Sequence, residues 1–235
     1  MRINWSKIIL ALALILIGGL FYSANSINSK RSVKNIIIEF ESSNKLFITK
    51  DSILKLIPTD YSDKNSIDIN DIELIIDSNG FIKKSEAYVS IDGDLIIELK
   101  QRNPIGRIIS ETSTFYIDDE SKIMTTSKLH SSTVPVIFNL ADSLNYDRIY
   151  KISHLIYNDE FLKKNITRIN FLSNNYITLN FRNYDFDLII GEYKNIGKKI
   201  KNFKAFYYRS INNGTLNKYS KINLQFENQI VCSKK

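Results

Sequence analysis

Residues 81–101, FIKKSEAYVSIDGDLIIELKQ, decide the fold. Two arms, 81–91 and 94–101, flank Asp92-Gly93, a pair that favours a two-residue type I′ hairpin turn. In the first arm Ala87, Val89 and Ile91 face one way, and Glu86, Tyr88 and Ser90 face the other. The period of two predicts a hairpin with one covered face. Something upstream must supply that cover.

Two short helices are predicted there. Asn70-Asp71-Ile72-Glu73 has the spacing of a capping box, with Asn70 where Ser or Thr is usual. The helix behind it offers Ile72, Ile75 and Ile76 as its apolar side and ends at Asn79-Gly80. Before it, Thr49 is the N-cap candidate of a helix with Ile53, Leu54 and Ile57 on one face, stopped by Pro58. Residues 33–40, VKNIIIEF, are rich in β-branched side chains and predict a strand. The order over 33–101 is β-α-α-β-β.

Further back, residues 8–22, IILALALILIGGLFY, are uninterrupted apolar sequence, flanked by Trp5 and by Tyr22 itself. With Ser23 and Ala24 the run reaches the short end of the roughly 17–25 residues that cross a bilayer. A retained single-pass anchor is expected, with the large remainder outside the cytoplasm. A cleaved signal peptide is the rival reading, set against by Phe21 and Tyr22 crowding the cleavage region.

After residue 101 the pattern changes. Strands are expected at 105–110, 114–117, 134–137, 166–172, 176–181 and 186–190, with a final strand at 221–231. Residues 147–161 have helical spacing through Ile149, Ile152, Leu155 and Ile156. A basic helix, 194–208, places Ile196, Ile200, Phe203 and Tyr207 on one face, with lysines over the rest. Those lysines read as a solvated face, or else as attraction to an anionic membrane or an acidic partner. The fold class is therefore α+β: an N-terminal transmembrane helix, a β-α-α-β-β domain, then a mainly antiparallel β domain with flanking helices. The expected division is 1–24 for cytoplasmic tail and anchor, 25–32 for a linker, 33–101 and 102–231 for the two domains, and 232–235 for a C-terminal tail.

Chemistry is sparse. The net charge of +7 is mild, and no recognisable nucleic-acid motif accompanies it. His130 and His154 are the two histidines, and neither has a neighbour at metal-ligand spacing. Asp118-Asp119-Glu120 lacks the regular ligand spacing of a calcium loop and predicts a solvated turn. The sequence has no Gly-rich phosphate loop, no G-x-S-x-G and no H-E-x-x-H. The single cysteine, Cys232, cannot form an internal disulfide. No catalytic residue, cofactor, metal, nucleic acid or small-molecule substrate is expected.

Taken in order along the chain, several segments resemble the FtsQ/DivIB family of bacterial cell-division proteins. Phe47-Ile48-Thr49 and the Asp92-Gly-Asp-Leu-Ile-Ile-Glu98 hairpin are similar to that family's POTRA domain. Gln101-Arg-Asn-Pro-Ile-Gly-Arg107 resembles its Q-R-x-P-x-A-R junction, with Gly106 in place of alanine. Phe115-Tyr-Ile-Asp118 and Val134-Pro-Val-Ile137 resemble early β-domain motifs. Ile190-Gly191-Glu192 followed by residues 198–206 looks like the helix leader. Ile222-Asn-Leu-Gln-Phe226 resembles the final I-D-L-R-Y strand, departing from it at Asn223, Gln225 and Phe226.

The resemblance implies a non-catalytic divisome scaffold of the inner membrane at the division septum. Its β domain would bind FtsB-like and FtsL-like partners and link them to septal peptidoglycan synthesis. The implied partner-binding residues are Asn223, Leu224, Gln225, Phe226 and Glu227. In residues 221–227 apolar and polar side chains alternate, so this last strand could be a sheet edge open to a partner strand, with Phe226 as anchor or as core. The alternative is another POTRA-type module of secretion or envelope assembly.

Overall fold

The computed structural model describes residues 5–29, 33–42, 45–57, 68–138, 146–172, 176–226 and 229–235. The chain divides into two compact units, Met1–Gln101 and Arg102–Lys235.

The first unit begins with α1, Trp5–Ser29, which continues through residues expected to be linker. Its side chains are described continuously over 9–24, so the expected span at 8–22 starts outside them. Among the described residues no helix is long and apolar enough to cross a membrane.

β1 (Ile36–Phe40), α2 (Lys50–Leu54), α3 (Ile69–Asp77), β2 (Ile82–Val89) and β3 (Leu95–Gln101) follow. The sheet order is β1-β3-β2, with β1 parallel and β2 antiparallel to the central β3. Ile53, Ile57, Ile72 and Ile76 from the helical side join Ile38, Ile82, Leu95, Ile97 and Leu99 of the sheet in one core. The Thr49 hydroxyl caps α2 by accepting from Ser52 N–H at 3.1 Å. Pro58 lies outside the described residues.

Two local expectations are corrected. The cap of α3 is Asp68, not Asn70. Its carboxylate accepts from Asn70 N–H and Asp71 N–H and leaves Asn70 inside the first turn. An ionised acceptor serves the free N–H groups and the positive end of the helix together. The hairpin turn is not type I′ either. Gly93 has φ +93°, but Asp92 does not have positive φ. Gly93 N–H donates to Ser90 O and Ser90 N–H to Asp94 O, so Ile91, Asp92 and Gly93 make a three-residue loop. This is the type I turn plus left-handed glycine, the next commonest hairpin closure.

The second unit is built on a nine-stranded sheet, β12-β11-β10-β9-β8-β7-β4-β5-β6. In chain order its elements are β4 (Pro104–Ile109), β5 (Thr114–Asp118), β6 (Ile123–Thr125), β7 (Val136–Phe138), α4 (Tyr146–Asn158), α5 (Glu160–Asn165), β8 (Ile166–Phe171), β9 (Ile177–Phe181), β10 (Asp187–Gly191), α6 (Ile196–Asn212), β11 (Tyr219–Asn223) and β12 (Val231–Lys234). Most neighbours are antiparallel. β7 runs parallel to β4 and β8, and β10 runs parallel to β11. Parallel neighbours need a crossover, and α4–α5 and α6 supply the two that follow β7 and β10. α4 buries Ile149, Ile152 and Ile156, and α6 buries Ile200, Phe203 and Tyr207, all in one core.

The carboxylate run at 118–120 does not behave as a solvated turn throughout. Asp118 is fully buried and pairs with Arg102 at 2.9 Å. Its other oxygen accepts from Glu120 N–H and Lys122 N–H. A buried carboxylate needs a cation and donors, and here it has both. Arg107, on β4, bonds Tyr116 OH, Ser131 Oγ and Ser132 O. Gly106, the residue before Arg107 on β4, lies where sheet and helix approach closely. A Cβ there would lie 2.9 Å from Ile137 Cδ1 and 3.0 Å from Ser153 Oγ of α4.

Candidate partner-binding site

The implied site residues lie where β11 leaves the sheet. β11 itself is not an edge. It is paired on one side with β10 and on the other with β12, and β12 is the outer strand. The expected single strand over 221–231 is thus two strands with a break, and the expected tail at 232–235 lies largely within β12.

Asn223 makes the break. Its Oδ1 accepts from Gln225 N–H at 2.9 Å, and its Nδ2 donates to Gln225 Oε1 at 3.0 Å. A side chain that satisfies the backbone two residues on replaces the ladder and turns the chain. Leu224 is the last residue to follow the sheet: its N–H donates to Ile189 O, and its side chain is buried. Beyond the turn the alternation fails. Ile222 and Leu224 are in the core, but Phe226 is 49% exposed. Glu227 lies outside the described residues.

Gln225 packs over Gly191, which has φ +73°. A Cβ there would meet Gln225 Cγ at 2.7 Å, so this glycine is required twice, by conformation and by space. A cavity of about 270 Å³ opens beside Gln225, with Tyr176, Lys194, Lys198 and Lys199 in its wall. Lys199 Nζ donates to Ile190 O and Glu192 O, tying the start of α6 to the end of β10.

β12 returns antiparallel to β11, with Cys232 opposite Ile222 and Val231 opposite Asn223. Val231 is 42% exposed, and burial pushes the Cys232 thiol up from its ordinary value. Sequence reading missed this strand. The polar run 227–229 between two apolar stretches was the available signal. Among the described residues no group of three His, Cys, Asp or Glu is placed to hold a metal.

A family model described as FtsQ/DivIB, C-terminal related matches residues 103–233, from the start of β4 into β12. The chain belongs to the FtsQ/DivIB family. Among curated proteins none matches the chain. Membership gives it a role in cell division, an association with the division septum and other division proteins as partners. Proteins of this family are generally non-catalytic. The matched span includes Asn223 to Phe226 and most of β12, the outer strand of the sheet.

Proposed function

We propose that the chain is an inner-membrane divisome scaffold, anchored by α1, with both units outside the cytoplasm. The first unit is POTRA-like, a reading supported by its β-α-α-β-β order. The second holds an FtsB-like protein and, through it, an FtsL-like one, linking them to septal peptidoglycan synthesis. The anchor is supported by the exposed apolar side chains of α1, among them Ile9, Leu12, Ile15, Leu20 and Phe21. Such a surface suits lipid better than water.

One observation carries the partner reading. The outer strand β12 follows directly on a segment whose aromatic, Phe226, is exposed although Ile222 and Leu224 before it are buried. A strand added along β12 gains backbone hydrogen bonds, and Phe226 supplies an apolar anchor beside it. Phe226→Ala tests this in the full chain, co-expressed with the FtsB-like protein of the same cell and captured in detergent. Folding stability should stay within about 1 kcal/mol of the parent. Capture of that partner should fall about tenfold or more. Capture at the parent level would sink the reading, as would a loss of about 3–5 kcal/mol in stability, the mark of a core phenylalanine.

A further inference from the structure

The three-stranded sheet has two edges, and they are finished differently. On β2, Ser85 N–H donates to Asp77 Oδ1 and Ala87 N–H to Glu73 Oε1, each at 2.6 Å. Both carboxylates hang from α3, which thereby occupies that edge. β2 also carries a register shift between Ile82 and Lys84, and two lysines, Lys83 and Lys84. Bulges, charges and covering elements are the devices that keep an edge from taking another strand.

Among the described residues β1 shows no bulge and no side chain bonded to its edge, and its one charge is Glu39. Its sequence, IIIEF, contains no proline or lysine, and its register with β3 is unbroken from Ile36 to Phe40. Leu95 N–H donates to Asn35 O, and Glu41 N–H donates to Leu99 O. Carried through the parallel register, these bonds turn the backbone of 35, 37, 39 and 41 toward β3. Ile36, Ile38 and Phe40 turn theirs away, and among the described residues none meets them.

Side chains add a preference. Ile36 and Phe40 are half-buried at the margin of the core, leaving apolar surface for a neighbour to cover. On the opposite face Glu39, Glu98 and Glu86 stand in register across the three strands. Glu86 is paired with Lys84, and Glu98 accepts from Tyr88 OH. Glu39, at the open end of the row, has no hydrogen bond or ion pair among the described residues. Like charges directly opposite one another repel, and a cation beyond Glu39 would relieve the row.

We propose that the β1 edge accepts an extended peptide from another protein, with apolar side chains over Ile36 and Phe40 and a lysine or arginine opposite Glu39. This surface is separate from β12 and does not depend on the partner assigned there. The probe is the blocked peptide VKVKVKV, added to the full chain in detergent, with backbone amide exchange resolved to single residues. Without peptide, Ile36, Ile38 and Phe40 should exchange at least about tenfold faster than Ile37 and Glu39. Peptide should slow those three and leave Ser85 and Ala87 unchanged. N-methylation of its valines should abolish the effect for an antiparallel strand, and of its lysines for a parallel one. Glu39→Lys should weaken binding about threefold or more, and VEVEVEV should bind less than VKVKVKV. Three results would overturn the proposal: Ile36, Ile38 and Phe40 already protected in the free chain, no slowing at millimolar peptide, or both methylated peptides acting as well as the parent.

Discussion

The two sheets bury an apolar face by different means. In the three-stranded one, a hairpin of adjacent strands does most of the pairing, and α3, immediately before it in the chain, caps the edge through Glu73 and Asp77. In the nine-stranded one, β7 is inserted between β4 and β8, and β10 and β11 are joined through α6. Its first hairpin is secured by Arg102 reaching Asp118, and its aromatic core gathers Phe161 of α5, Phe181 of β9, Phe186 just before β10, and Phe203 and Tyr207 of α6. Each unit thus combines hairpins of neighbouring strands with parallel pairs across a longer crossover, β1 with β3 in the smaller and β4 with β7, β7 with β8 and β10 with β11 in the larger. Damage to one should leave the other's transition in place.

The largest effect should come from Asp118→Ala. It leaves the mostly buried Arg102 with only the exposed Glu120, 3.7 Å away, and two backbone N–H groups without their acceptor. Removing one member of a buried pair costs about 3–5 kcal/mol. In urea unfolding of the full chain, the transition of the second unit should move by that amount and that of the first should not. If both move together, the two units do not unfold independently.

Gly106→Ala sharpens the comparison from within the second unit. The added methyl meets Ile137 and Ser153, and overpacking of this kind costs about 1–3 kcal/mol. Ser153 Oγ is buried without a hydrogen bond among the described residues, so Ser153→Ala removes an atom that makes no polar contact. The double variant should recover part of the loss. Strict additivity in a double-mutant cycle would refute the close approach of α4 to β4.

The smallest effect belongs to the first unit. Gly93→Val puts a β-branched residue at φ +93°, which should cost about 1–2 kcal/mol. Only the first unit's transition should shift. An unchanged midpoint would mean that the loop relaxes to another turn at no cost.

Much of this was legible because it is local. The Thr49 cap, the hairpin at residues 81–101 and the apolar faces of α4 and α6 each depend on spacings shorter than a few turns or strands. Where reading went astray, a competing local group had won: Asp68 took the cap from Asn70, and Ile91 entered the turn with Asp92 and Gly93. The implied site was legible as a segment but not as a shape. Alternation over 221–227 put Phe226 on the face of Ile222 and Leu224 in one strand, as anchor or as core, but Asn223 bonds Gln225 and turns the chain before that residue is reached.

Sequence by itself determined the number and type of most elements and the order of motifs that marks the family. Periodicity and capping are written into neighbouring residues and need no fold to act. Only the tertiary structure decided that Asp118 is buried, that β12 rather than β11 is the outer strand, and that α3 caps β2 while nothing among the described residues bonds the edge of β1. Each of these depends on a partner brought near by strand pairing or helix packing. A residue's exposure and an edge's freedom are properties of what lies beside them in space.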